Sequence, residues 1–242
     1  MSPDTPIDTT PPEDAVPQPP APQTHSPQDK RQAREIATAG QTIRAIIADA
    51  AGNEAIAQSL AEGGYPLPEL NHAGTLQEAA QSALAEQLAV GGGKDAANKT
   101  YAAAEQSLTT LYLNLRGLAR SAFIKDPDSL EKLGIAGSAP RALADLLNAC
   151  ENLIRNAPLP LYADKLTRRG VTADKLQNLQ VRLAALQEAD RVQEAAKEAL
   201  PPATAKRNAA AQSLTDWLVE FKAFAKVQFK DQPDLLKRWG LK

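Results

Sequence analysis

The chain resembles itself at a distance of 106 residues. "FIKDPDSLEKLGI", Phe123 to Ile135, returns as "FKDQPDLLKRWGL", Phe229 to Leu241. Residues 101–135 and 207–241 align without a gap at 12 identities in 35, among them Phe123/Phe229, Pro127/Pro233, Asp128/Asp234 and Gly134/Gly240. Richness in alanine and leucine alone would scatter its matches and would not align prolines and glycines. The recurrence reads as an internal duplication. Two copies of this size are too few for a solenoid, so the expected architecture is two tandem antiparallel helical bundles, 30–135 and 136–242, behind a leader of residues 1–29.

The fold class follows from what fills the copies. Aromatic residues make up 4% of the 242 and hydrophobic residues 43%, with alanine carrying much of that total. Such a composition suits close-packed helices better than a barrel or sandwich rich in Val, Ile and Tyr. Apolar residues recur at helical spacing throughout. Ile36, Ile43 and Ile47 mark a first helix from about Asp29 to Ala51, and Leu143, Leu146, Leu147, Cys150, Leu153 and Ile154 mark its twin from Pro140. The clearest stripes are Ala104, Leu108, Leu111, Leu115, Leu118, Ala122 and, 106 residues on, Ala210, Leu214, Trp217, Phe221, Phe224, Gln228. These read as the seam of each bundle. Three Leu-to-aromatic changes make the second seam bulkier, with smaller residues expected opposite. "GGGKD", Gly91 to Asp95, and "LPPA", Leu200 to Ala203, are expected to break the helices that precede each seam.

The leader holds nine of the eighteen prolines, five acids and no base. It cannot bury enough apolar surface to offset its ordering entropy, and it is expected to be a disordered tether. Its "PQPPAP", Pro17 to Pro22, has the composition of an SH3 ligand, though a plain spacer or solubilising leader is the expected role. The remaining charge is uneven: residues 30–135 carry twelve acids and ten bases, 136–242 twelve acids and seventeen bases. A single cysteine, Cys150, excludes an internal disulfide. The start has no basic and apolar leader pattern, and no run reaches the 18 or so uncharged apolar residues of a membrane span. These features lead to the expectation of a soluble, cytoplasmic protein.

The doubled ending has a mechanical reading. Pro127 or Pro233 suits a first helical position, and Asp128 or Asp234 places negative charge on the positive helix end. Gly134 or Gly240 suits the left-handed position after the helix, with Leu130 and Ile135, or Leu236 and Leu241, as the apolar pair of a Schellman ending. Pro127, Asp128, Leu130, Gly134, Pro233, Asp234, Leu236 and Gly240 are therefore expected to form a structural lid on each bundle.

Candidates for chemistry are few. "VGGGKDAANKT" misses the phosphate-loop spacing and follows a helix instead of a strand. A di-metal bundle needs Glu-x-x-His pairs, whereas His72 is alone outside the leader. Cys150 lies on an apolar stripe and reads as an inert thiol. No catalytic residue, cofactor or metal site is assigned. The basic row Lys222, Lys226, Lys230, with Lys237 and Arg238 beyond it, is a candidate anion-binding ridge, although cations near a helix C-terminus also complement its dipole. The expected function is a non-catalytic interaction or adaptor module with a protein partner. The alternative is a binder of nucleic acid, an anionic membrane or another anionic ligand through the basic second segment.

Overall fold

The computed structural model describes residues 26–241, and among them every element is a helix. The leader lies outside the described residues except for 26–29, which open the first helix. Ser26 Oγ accepts the Asp29 N–H at 3.1 Å while the Asp29 carboxylate accepts the Ser26 N–H at 3.2 Å. This reciprocal box caps α1, Pro27–Gly52. Then come α2 (Glu54–Glu62), α3 (Leu67–Ala122), α4 (Pro127–Lys132), α5 (Leu143–Asn156), α6 (Pro160–Arg168), α7 (Ala173–Gln228) and α8 (Pro233–Arg238). The bounds of α6, α7 and α8 each fall 106 residues after those of α2, α3 and α4. Only the openings differ, since α5 starts at Leu143 rather than Pro140 and residues 136–142 form a connection.

The turns expected at Gly91–Asp95 and Leu200–Ala203 do not form. Both stretches are helical, so α3 and α7 are single helices of 56 residues, each about 84 Å long at 1.5 Å per residue. They run antiparallel along each other: Trp217 meets Glu69, Lys206 meets Glu86, Gln193 meets Asn98 and Arg182 meets Ser107. In this register the glycines of α3 stand opposite Pro201 and Pro202 of α7. Each proline removes one helical hydrogen bond and costs about 3 kcal/mol in a helix interior. The carbonyls released belong to Lys197 and Glu198, both exposed, where water can take over the bond. Packing between the long helices on either side overrides the local breaking signal. Gly91→Ala and Gly93→Ala are each expected to raise stability by about 0.5–1 kcal/mol in a denaturant titration, because a Cβ at either site meets no neighbour within 4 Å. A turn at this place would give the opposite sign for at least one of them.

Continuity of the long helices decides how the cores are assembled. The first core joins Ile36, Ile43, Ile46, Leu60, Leu70, Ala73 and Ala80 to Leu214, Trp217, Phe221, Phe229, Trp239 and Leu241. The second joins Leu108, Tyr112, Leu115, Phe123, Leu133 and Ile135 to Leu146, Cys150, Leu153, Leu179, Leu183 and Leu186. Each core thus takes the front of one sequence segment and the back of the other, which differs from a grouping into 30–135 and 136–242. Between them lies a waist where mainly small residues, Ala97, Ala189 and Ala203, are buried. The seam is also turned slightly from its expected position: Tyr112 and Ala119 are fully buried while Leu111 and Leu118 are half-buried.

Candidate interaction surface

The two short cross-pieces close the ends of the molecule. Pro127 and Pro233 are the first residues of α4 and α8, and Asp128 and Asp234 stand in their first turns. Asp126, which the sequence reading passed over, supplies the side-chain cap by accepting the Ser129 N–H at 3.1 Å. The Ser129 hydroxyl, and after it that N–H, hold the Asp126 carboxyl below its usual range. Gly134 and Gly240 both have φ +71°. The Ile135 N–H reaches Leu130 O at 2.9 Å and the Leu241 N–H reaches Leu236 O at 2.8 Å, with the glycine N–H bonded to Glu131 O or Lys237 O, the paired bonds of a Schellman ending. Leu130 and Leu236 are only half-buried. The side chains that plug the cores are Leu133 and Trp239, and their apolar bulk three residues further along was the available signal.

Each lid rests on the first helix of the other segment. Trp239 donates its indole N–H to Asp49 of α1 at 2.7 Å, and Arg238 pairs with the same carboxylate at 3.0 Å. At the other end Asn156 of α5 donates to Lys132 O of α4. The start of α1 is tied down too, since Arg207 of α7, 5% exposed, donates to Asp29 at 3.1 Å.

Beside the first core the face between α1 and α7 stays open. A groove of about 570 Å³ is lined by Ile36, Ala39, Leu214, Leu218 and Val219, with Gln32, Glu35 and Lys222 among its polar residues. Val219 is 61% exposed, and Gln32 Oε1 is buried with no hydrogen-bond partner among the described residues. A neighbouring hollow of about 370 Å³ shares Glu35, Ala39, Leu218 and Lys222 and extends the groove to Arg34, Thr42 and Leu241.

The basic row stands next to this groove. Lys222 and Lys226 are exposed along one side of α7, Lys230 is exposed in the turn that follows it, and Lys237 is exposed on α8. Arg238 does not share their situation, because its guanidinium is committed to Asp49. Arg116 and Arg120 hold the positions 106 residues before Lys222 and Lys226. They donate to the carbonyls of residues 135–137 and so fasten the connection between α4 and α5. Lys222, Lys226, Lys230 and Lys237 make no ion pair among the described residues.

Cys150 sits inside the second core at 0% exposure, and burial pushes its thiol up to about 12, with Glu151 adding to the shift. A thiol kept protonated at neutral pH is a poor nucleophile. His72 is exposed, and Thr75 donates its hydroxyl to the His72 carbonyl. No group of three or more metal-ligating side chains occurs among the described residues. No described helix is long and apolar enough to cross a membrane.

No protein-family model, curated protein or solved structure matches this chain.

Proposed function

We propose that the protein is a non-catalytic interaction module of the cytoplasm, a two-headed adaptor whose partner is a protein carrying an amphipathic helix. The observation that carries this reading is the open α1/α7 groove. It offers the apolar floor of Ile36, Leu214 and Leu218 beside the exposed Val219. A helix laid along α1 would cover that floor and Val219. The segment before Ser26 serves as the tether in this reading. The common 106-residue displacement of α2/α6, α3/α7 and α4/α8 supports an origin by tandem duplication.

A second reading rests on the lysines. Lys222, Lys226, Lys230 and Lys237 stand without ion-pair partners among the described residues, and Lys222 and Lys226 do so where the equivalent Arg116 and Arg120 are used structurally, which suits an anionic ligand such as nucleic acid or an anionic membrane surface. One experiment separates the two. Proteins captured from the native host on the wild-type chain are compared with those captured on Val219→Asp and on a Lys222→Glu/Lys226→Glu/Lys230→Glu variant. The adaptor reading expects a partner lost with Val219→Asp at unchanged melting. The anionic reading expects binding to heparin or duplex DNA that falls steeply with salt and is abolished by the triple charge reversal while Val219→Asp binds normally.

A further inference from the structure

The long helices could fold back at two places where the sequence invites it, Gly91–Gly93 and Leu200–Pro202, and each core would then be built from one contiguous segment. Comparison of equivalent positions shows what such a rearrangement would bring together. In the first core the ideal Cβ position of Gly63 lies 1.9 Å from Phe224 Cε2, so the ring occupies the space a side chain would need. Glu69 accepts the Trp217 indole N–H at 2.9 Å. Asp49 accepts Trp239 and pairs with Arg238. The residues 106 positions after Gly63 and Glu69 are Arg169 and Lys175, and the place that Asp49 takes under α8 is taken under α4 by Asn156, which holds Lys132 O.

Folding α7 back on its own front half would therefore set Phe224 against an arginine and turn the Trp217 N–H toward an ammonium group. It would also set Arg238 and the Trp239 N–H against Asn156, the α5 residue that holds the α4 lid through Lys132 O, and both would lose the Asp49 carboxylate. The missing acceptor for Trp217 and the lost ion pair of Arg238 are each unfavourable in a partly buried setting. Size points the same way. The aromatic back half, Trp217 and Phe221, lies in a core with Ala73 and Ala80, whereas Leu179 and Leu186 stand at the equivalent positions of the second segment. Overfilling one core and underfilling the other both cost stability. Charge adds to it: residues 30–90 carry seven acids and four bases and residues 203–242 four acids and eight bases. Residues 136–202, with eight acids and nine bases, offer the basic tail no such complement.

We propose that Gly63, Glu69 and Asp49 form a pairing key that accepts Phe224, Trp217 and the Trp239–Arg238 pair, and so holds the chain in its extended form against closure into two separate bundles. The key is a device of conformational specificity, and it is independent of what the groove binds.

Two measurements on the full-length chain test it. A short bifunctional thiol reagent is applied to Glu86→Cys/Lys206→Cys and to Val192→Cys/Lys206→Cys, Val192 being the position 106 residues after Glu86. Cys150 is buried and does not compete. The first pair is expected to link within one molecule. The second is expected not to, because 14 residues of continuous helix separate its members by about 21 Å. Linking at 192/206 to a comparable yield overturns the proposal. The second measurement is a rescue. Gly63→Arg is expected to lower the melting temperature by about 5–10 °C. Adding Phe224→Leu recreates the Arg169 and Leu118 pair of residues found at the equivalent places and is expected to leave the double variant melting above the sum of the single losses. Strictly additive losses mean that the two positions do not recognise each other, and the key is then refuted.

Discussion

Trp239→Ala is expected to destabilise the protein by about 3–5 kcal/mol, the range for removing a buried aromatic side chain. Trp239 is 1% exposed, meets the Phe229 ring edge-on at 5.2 Å and the Phe221 ring at 6.0 Å, and anchors its N–H on Asp49. Truncation leaves a large void and costs Asp49 a donor, although Arg238 still faces it. Trp239→Phe keeps most of the packing and loses the hydrogen bond, so about 1–2 kcal/mol is expected. Leu236→Ala, at a half-buried position, should cost less than Trp239→Ala. Chemical denaturation of the three variants checks this order. Three unchanged curves would show that the ending is a recognition surface and not a plug.

The second large effect separates two glycines of identical conformation. At φ +71° both Gly134 and Gly240 lie where a side chain carries a steric cost of about 1–2 kcal/mol. Their surroundings differ. A Cβ on Gly134 would stand 2.9 Å from Asn152 Cβ and 3.5 Å from the Ala149 backbone, whereas one on Gly240 meets only Thr42 Oγ1 at 3.7 Å. Gly134→Val is therefore expected to lose the conformational term plus about 1–3 kcal/mol of overpacking, and Gly240→Val little beyond the conformational term. Equal losses in thermal melts would show that the α4/α5 contact yields without cost.

The helical class was legible because its signals are local. Apolar periodicity, Ser26 with Asp29, the prolines before α4 and α8 and the glycines after them all act within a few residues. What escaped was non-local. Gly91–Gly93 and Pro201–Pro202 carry the strongest breaking signals of the chain, yet they lie within helices supported from both sides by another helix 56 residues long. Periodicity states which face of a helix is apolar and says nothing about which other face it meets. Hence the lids were expected on their own segments, while Trp239 rests on Asp49 and Asn156 holds Lys132. The groove was not legible either, since it is lined by residues of both α1 and α7, and neither helix records that alone.

Because the first core draws on both ends of the described chain, its halves are far apart in time as well as in sequence. A chain made from its N-terminus completes the second core once Leu186 is available. Ile36, Ile43 and Ile46 must wait for Leu214 to Leu241, with roughly 130 residues between Leu84 and Leu214 still to be laid down. Throughout that interval the isoleucine face of α1 stays uncovered and prone to aggregation, and only once Leu186 has been added can the finished second core act as a brace that sets the rest of α7 growing back along α3. A chain that stops short of Trp239 would keep one sound head and one that never closes.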